Sequence, residues 1–265
     1  MEIFMENKEL KILTVGNSFG IDTSEYVSDI ALSLGLKRVK ICVLYIGGCS
    51  LNRHYENAQN DLPAYRYYEN TGEGWNYVDG MRISEAVKAE KWDYISIQHG
   101  TGDGSRYTLP ESYANLESLI TYIKAIAPQK TKIAFNMAWV MESYSTHPEI
   151  CSYGGNQMMM YSKLAELTST VVRDAKGLDI ISPAGTAIQN ARQTVLFDRL
   201  SRDGFHLSFE IGRYIAGLTF FKALTGIEID DVSWMPNGVT EKERKIAIRC
   251  ANQAIVSPFE VSSME

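Results

Sequence analysis

The sequence has no run of about eighteen apolar residues, which excludes a membrane-spanning helix. Its first eight residues include glutamates and lack an apolar core, so no signal peptide is predicted and a cytoplasmic protein is expected. Basic residues are scattered and the formal net charge is −6. Because nucleic-acid binding needs clustered Lys and Arg, the composition argues against a nucleic-acid partner.

Cysteine and histidine are also sparse, with four of each. The cysteines show neither a C-x-x-C spacing nor a nearby pair of histidines, so no zinc site and no redox motif is indicated. In a chain of this length, reduced thiols are the default expectation. The sequence therefore predicts chemistry that needs no metal and no cofactor.

The apolar residues that are present fall into short runs separated by helical patterns. With 265 residues, 45% hydrophobic and 22% charged, residues 1–265 fit one large domain. Five runs predict strands of a parallel sheet buried on both faces, at 11–15, 39–46, 94–98, 132–137 and 178–182. Helical patterns follow each run, and a last one covers 241–254. The alternation predicts a three-layer α/β/α sandwich with a central parallel sheet of about five strands.

Two short segments, almost two hundred residues apart, hold the parts of a nucleophilic site. Ser18 directly follows the first apolar run, and Asp203 and His206 precede the last long apolar helix pattern. A serine hydroxyl needs an imidazole to take its proton, and the imidazole needs a carboxylate to fix its tautomer. These three residues are therefore the candidate catalytic nucleophile, base and orienting acid.

The two segments and the sequence between them resemble the SGNH (GDSL-type) hydrolases. The chain is similar in pattern to an uncharacterised bacterial subgroup of that superfamily. The first block reads Gly-Asn-Ser at 16–18, with Asn17 where Asp is usual, and the last reads Asp-Gly-Phe-His at 203–206. The resemblance covers roughly residues 10–226. It implies a flavodoxin-like sandwich and a serine hydrolase that acts on carboxylic esters through an acyl-enzyme.

The resemblance also implies where the oxyanion donors lie. The second block of the family supplies a glycine N–H, and Gly48 matches it, so the N–H groups of Ser18 and Gly48 are two predicted donors. The third block normally supplies an Asn side chain, but this chain has Gly102 at that position. Gln98, at the end of a predicted strand, carries the same kind of amide and is predicted to replace it.

A long segment at about 52–79 is rich in tyrosine and tryptophan and has no clear periodicity. An insertion directly after an oxyanion block predicts a lid or a substrate rim, although an oligomer interface remains open. The predicted substrate contacts are His54 and Trp75 in this segment, together with His99 and Trp139 after later strands. For Trp139 a place in the core is equally open, and for His54 a structural or surface role is favoured over contact with substrate.

The sequence therefore predicts a serine esterase that releases short acyl groups, such as acetyl, from a carbohydrate or another small ester. Two alternatives stay open. One is a lipid or thioester hydrolase, and the other is a non-catalytic carbohydrate-binding protein on the same fold. The sequence leaves the oligomeric state open.

Overall fold

The computed structural model describes residues 9–101 and 106–264 of the chain. Within them, seven strands form one sheet in the order β4-β3-β2-β1-β5-β6-β7. The strands are β1 (Glu9–Gly16), β2 (Arg38–Tyr45), β3 (Tyr65–Asn70), β4 (Trp75–Met81), β5 (Tyr94–Ile97), β6 (Lys132–Asn136) and β7 (Ile180–Ser182).

The five strands predicted from apolar runs are present and are parallel to one another. Their continuous apolar character has a direct cause in the packing. Along β1, Ile12 is buried in one core cluster and Leu13 in another on the opposite face. Since successive side chains point to opposite faces, a strand covered on both sides must be apolar at every position.

Helices cover both faces and complete the predicted three layers. One face carries α1 (Ser18–Ser24), α2 (Val27–Ser33), α8 (Ala184–Arg192), α9 (Ile211–Thr225) and α10 (Glu241–Val256). The other face carries α3 (Leu51–Gln59), α4 (Ile83–Ala89) and α5 (Leu116–Ile126). After β6 come α6 (Pro148–Cys151) and α7 (Gln157–Leu167), and a 3-10 turn and a π turn lie at Pro110–Tyr113 and Thr168–Val172. No helix of the described part of the chain is long and apolar enough to cross a membrane.

The aromatic segment at 52–79 differs from the prediction. It contains most of α3 and then an antiparallel hairpin, β3 and β4, which extends the sheet beyond β2. Its period is two: Tyr65 and Tyr67 are buried against α3 and α4, while Tyr68 and Tyr77 lie on the other face. The segment is thus a wing of the sheet rather than a lid, and its tyrosines are the residues that suit a half-buried strand.

The parallel strands direct the candidate site to one edge of the sheet. The chain leaves β1 at Gly16, β2 at Tyr45 and β5 at Ile97, and these three strands are neighbours. In an open parallel sheet the crevice at the carboxyl ends is the usual place for a ligand. Ser18, Gly48 and residues 98–100 are brought together in this way.

Candidate active site

Ser18, His206 and Asp203 form a connected hydrogen-bond chain. The Nε2 atom of His206 lies 2.8 Å from Oγ of Ser18, and its Nδ1 atom lies 2.6 Å from Oδ2 of Asp203. The side chains remain accessible, with 19% of His206 and 41% of Asp203 exposed. This is the arrangement in which a histidine can take the proton of a serine while a carboxylate holds its tautomer.

Asp203 is oriented by its own loop. Its Oδ1 atom accepts hydrogen bonds from the backbone N–H groups of His206 at 2.8 Å and Phe205 at 3.2 Å. Burial alone would raise the pKa of Asp203, but the bond from His206 and these two backbone N–H groups outweigh it and lower that pKa below its usual value. The carboxylate is thereby kept ionised opposite the imidazole.

Asn17 connects the first two sequence blocks. Its side-chain oxygen accepts the Phe19 N–H at 2.9 Å and caps α1, and its amide nitrogen donates to the Cys49 carbonyl at 3.2 Å. A carboxylate could make the first bond but cannot donate the second. The departure from the usual Asp therefore has a structural use here.

Gly100 closes the space between these blocks. A Cβ atom at this position would lie 2.5 Å from the Asn17 amide nitrogen and 2.8 Å from the Gly48 carbonyl carbon. Real side chains do not tolerate such distances from packed atoms, so only glycine fits. The three turns that follow β1, β2 and β5 are therefore packed directly against one another.

The two predicted backbone donors, the N–H groups of Ser18 and Gly48, lie just after the carboxyl ends of β1 and β2. Ser18 is the first residue of α1, and Gly48 stands in the turn after β2 with a left-handed φ of +62°, which favours glycine. Within residues 9–101 and 106–264, neither N–H group donates a hydrogen bond to another group. Gly102, where the family has Asn, lies outside the described residues.

Gln98 does not fit its predicted role as the third donor. Its side chain is completely buried, its amide nitrogen donates to the Asn136 carbonyl at 3.2 Å, and its oxygen accepts from the Asn136 amide at 2.7 Å. Asn136 in turn donates to Thr23 at 2.9 Å. Both ends of Gln98 are thus used in tying β5 to β6 and α1, so the prediction is wrong in this arrangement.

The two histidines predicted to contact substrate are both inside the protein. His54 is fully buried, stacks on Tyr65 and lies 2.9 Å from its hydroxyl through Nδ1. Burial, with smaller contributions from His99 and Arg53, lowers the pKa of His54 to about 3. His99 is 1% exposed, with its ring nitrogens next to the carbonyls of Gly100 and Ser112. Neither ring faces the crevice.

The two tryptophans predicted to contact substrate do not line the crevice either. Trp139 is 1% exposed, and its Nε1–H donates to the Phe205 carbonyl at 2.7 Å, so it supports the loop of Asp203 from inside. Trp75 pairs with Asn70, which pairs with Ile41 of β2. It therefore lies four residues, roughly 13 Å along the strand, behind the catalytic edge.

Sequence reasoning missed several residues that surround the triad. The Phe205 ring lies 4.0 Å from the His206 ring, and the His147 ring lies 5.2 Å from Phe205 on its other side. Asp22, on the helix of the nucleophile, is completely buried and bonded to the catalytic loop. The available signal was a charged residue four positions after Ser18, within the buried stretch of the first helix.

Comparison with known protein families shows the family of the chain. A family model described as a domain of unknown function (DUF4886) matches residues 11–254. The chain belongs to the DUF4886 family. A DUF4886 family protein from Bacteroides uniformis, known from a crystal structure, shares 33% sequence identity with this chain. The two structures have a TM-score of 0.91 over 97% of this chain and 98% of that one. No curated protein matches the sequence significantly.

A more distant structure shares the fold. An acetyl xylan esterase from Geobacillus stearothermophilus is 16% identical, with a TM-score of 0.51 over 83% of this chain and 97% of that one. A member of the lipolytic protein G-D-S-L family from Veillonella parvula is 14% identical, with a TM-score of 0.49 over 82% of this chain and 100% of that one. The three-layer α/β/α sandwich predicted from the sequence is confirmed.

Proposed function

We propose that this DUF4886 protein is a serine esterase that uses Ser18 as its nucleophile. The observation that carries the proposal is the unbroken chain from Ser18 Oγ to His206 at 2.8 Å and from His206 to Asp203 at 2.6 Å. The three residues come from the two ends of the sequence and meet at the ligand-binding edge of the sheet. A purely carbohydrate-binding protein would have no need to hold them at these distances.

In the acylation step, Ser18 Oγ attacks the ester carbonyl carbon while its proton passes to Nε2 of His206. The carbonyl electron pair moves to oxygen, where the N–H groups of Ser18 and Gly48 are the proposed donors. The tetrahedral intermediate then collapses. The alkoxide leaves with the proton from His206, and the acyl group remains on Ser18.

In the deacylation step, His206 takes a proton from water, whose oxygen attacks the acyl-enzyme carbonyl. Collapse of the second intermediate returns the proton to Ser18 and releases the acid. Asp203 holds the Nδ1–H of the imidazole throughout and stabilises the positive charge that forms on it twice per cycle. The pathway uses only side chains and backbone groups of this chain.

We further propose that the substrate carries a short acyl group, such as acetyl, on a carbohydrate or another small alcohol. A row of tyrosines supports this class: Tyr45 packs against Tyr68 at 5.8 Å and Tyr68 against Tyr77 at 5.6 Å. The Tyr45 hydroxyl lies beside Gly47, next to the proposed oxyanion donor, and Tyr77 is 57% exposed. Aromatic rings with a polar end suit the apolar faces and hydroxyls of sugars. The fold is shared with an acetyl xylan esterase.

The experiment is hydrolysis of aryl esters of increasing acyl length, followed by release of acetate from an acetylated oligosaccharide. We expect turnover of the acetyl ester, a decline with longer chains, and none by Ser18→Ala. Tyr77→Ala should raise KM for the saccharide ester but not for the aryl ester. A preference for long acyl chains would favour a lipid or thioester hydrolase, and an inactive wild-type protein would contradict the proposal.

A further inference from the structure

Asp22 is a buried carboxylate that touches the catalytic loop. It lies on α1, four residues after Ser18, and none of its side chain is exposed. Its Oδ2 atom accepts the backbone N–H of Leu207 at 2.9 Å, and its Oδ1 atom accepts from Arg202 at 3.0 Å and from Arg213 Nε at 2.8 Å. A buried charge is tolerated only when it is paired in this way.

Asp22 contacts the loop of residues 201–207 at its base, where the two ends of the loop come together. Ser201 and Leu207 form an antiparallel bridge, and the Arg202 N–H donates to the His206 carbonyl at 2.9 Å. The Arg202 side chain also donates to the Leu207 carbonyl. The base of the loop is therefore closed on itself and held to α1 through Asp22, while Asp203 stands at the tip.

The two arginines are fixed in turn by an exposed phenylalanine. The Arg202 and Arg213 guanidinium carbons lie 4.8 and 4.7 Å from the centre of the Phe209 ring. This contact accounts for a phenylalanine that is 52% exposed. Glu25 bonds the outer side of Arg213 at 3.0 Å through Nη1. Two acids and two bases thus make a balanced cluster beside the triad.

We propose that Asp22 is a positioning residue that sets the distance between Ser18 and His206, an inference that rests on the proposed esterase function. Ser18 and His206 are 188 residues apart in the chain. Their own hydrogen bond is broken and remade in every catalytic cycle, so it cannot hold the two elements by itself.

Asp22 constrains the position of His206 relative to Ser18 because both of its connections are short: one runs along α1 to Ser18 and the other is the hydrogen bond to Leu207. Four helical residues, about 6 Å of rise, separate it from Ser18. Its bond to the Leu207 N–H reaches the residue that follows His206. A displacement of one ångström between reacting groups can cost about a hundredfold in rate, so a constraint of this length is relevant to catalysis.

The test compares Asp22→Asn with Glu25→Gln as a matched control. Asp22→Asn removes the charge that pairs both arginines, and we expect kcat on an aryl acetate to fall roughly ten- to a hundredfold with little change in KM. Glu25→Gln also removes a charge from the cluster but makes no contact with the loop. Glu25→Gln should keep the wild-type kcat, even if its melting temperature falls as much as that of Asp22→Asn.

A second readout does not depend on turnover. Crystal structures of the three proteins should show the distance from Ser18 Oγ to His206 Nε2 near 2.8 Å in the wild type and in Glu25→Gln, and about an ångström or more longer in Asp22→Asn. If the wild type hydrolyses no ester but the distances follow this pattern, the positioning role stands while the proposed function fails.

A wild-type kcat together with an unchanged Ser18–His206 distance in Asp22→Asn would overturn the inference. So would equal losses of kcat in Asp22→Asn and Glu25→Gln, since the effect would then follow stability alone. If Asp22→Asn does not fold, Arg202→Gln, which removes the donors to Asp22 and to the Leu207 carbonyl, replaces it under the same criteria.

Discussion

The loop that carries Asp203 and His206 is built differently at its tip and at its base. At the tip, Asp203 is 41% exposed and is held by its own loop backbone and one imidazole. At the base, Asp22 is completely buried among two arginines and a backbone N–H. The groups proposed to react are thus partly accessible, whereas the carboxylate proposed to fix their geometry is fully buried.

This difference means that tip and base should respond differently to mutation. Changes at the tip should remove activity and leave stability almost intact. Changes among the buried polar residues should cost stability, because each leaves a partner unsatisfied inside the protein. Four variants test this separation of activity from stability, beginning with the one expected to have the largest effect.

The largest effect is expected for Asp203→Asn, at the tip. The amide cannot stabilise the imidazolium and favours the wrong tautomer, which costs on the order of ten thousand-fold in kcat in a well-studied triad. Since the residue is exposed, the melting temperature should change little. Steady-state kinetics and thermal unfolding check both parts. An active variant, or one that unfolds much earlier, would place Asp203 with the supporting residues instead.

Asn17→Asp is expected to reduce both activity and stability. The carboxylate keeps the cap on Phe19 but faces the Cys49 carbonyl, to which Asn17 now donates at 3.2 Å. Losing a buried bond of this kind costs about 1–3 kcal/mol. The displaced turn carries Cys49 and its neighbour Gly48, so kcat should fall as well. Denaturant unfolding and kinetics test this, and a variant equal to wild type in both would show that the bridge between the blocks is dispensable.

Gln98→Met should affect stability without affecting the chemical step. The substitution leaves the Asn136 carbonyl and side-chain amide without their Gln98 partner, which should lower the free energy of unfolding by about 1–3 kcal/mol. It removes no group from the crevice. The turnover number should stay close to that of the wild type. A loss of about a hundredfold or more, typical of a missing oxyanion donor, would restore the role that the sequence predicts for Gln98.

The smallest effect concerns Glu142, whose backbone N–H donates to the Gly204 carbonyl of the loop at 2.8 Å. Its Oε1 accepts the Leu200 N–H at 3.3 Å, and burial, together with the nearby Asp198 carboxylate, raises the pKa of Glu142 to about 8. A raised pKa means stability that is present at low pH and lost as pH rises towards 8. Glu142→Gln, which mimics the protonated acid, should flatten this decline in melting temperature between pH 5 and 8. An identical decline in the variant would assign it to other groups.

Much of this architecture could be predicted from the sequence, for physical reasons. Strands buried on both faces must be apolar throughout, and the triad residues stand in short motifs at strand and helix ends. The hairpin β3 and β4 does not stand out as apolar runs because most of its residues are tyrosine, asparagine or charged, and five consecutive residues of β4 are exposed. The prediction of a lid rested on the length of the segment and on its position directly after an oxyanion block.

The errors within the site have one common cause. The sequence places Gln98, His99 and Trp139 correctly at strand ends of the catalytic edge, but it cannot show which way a side chain points. Each of them turns inward to satisfy a neighbouring backbone or amide group. Asp22 was missed for the converse reason, since a charged residue in a helix is expected at the surface until its two arginine partners are seen.

The central claim is that Ser18 is a nucleophile activated by His206, and covalent labelling with a fluorophosphonate tests it most directly. We expect one label per chain, located by peptide mass at Ser18. His206→Ala should abolish rapid labelling and Ser18→Ala should abolish it entirely. A label on any other residue, or labelling of Ser18 that is independent of His206, would contradict the account.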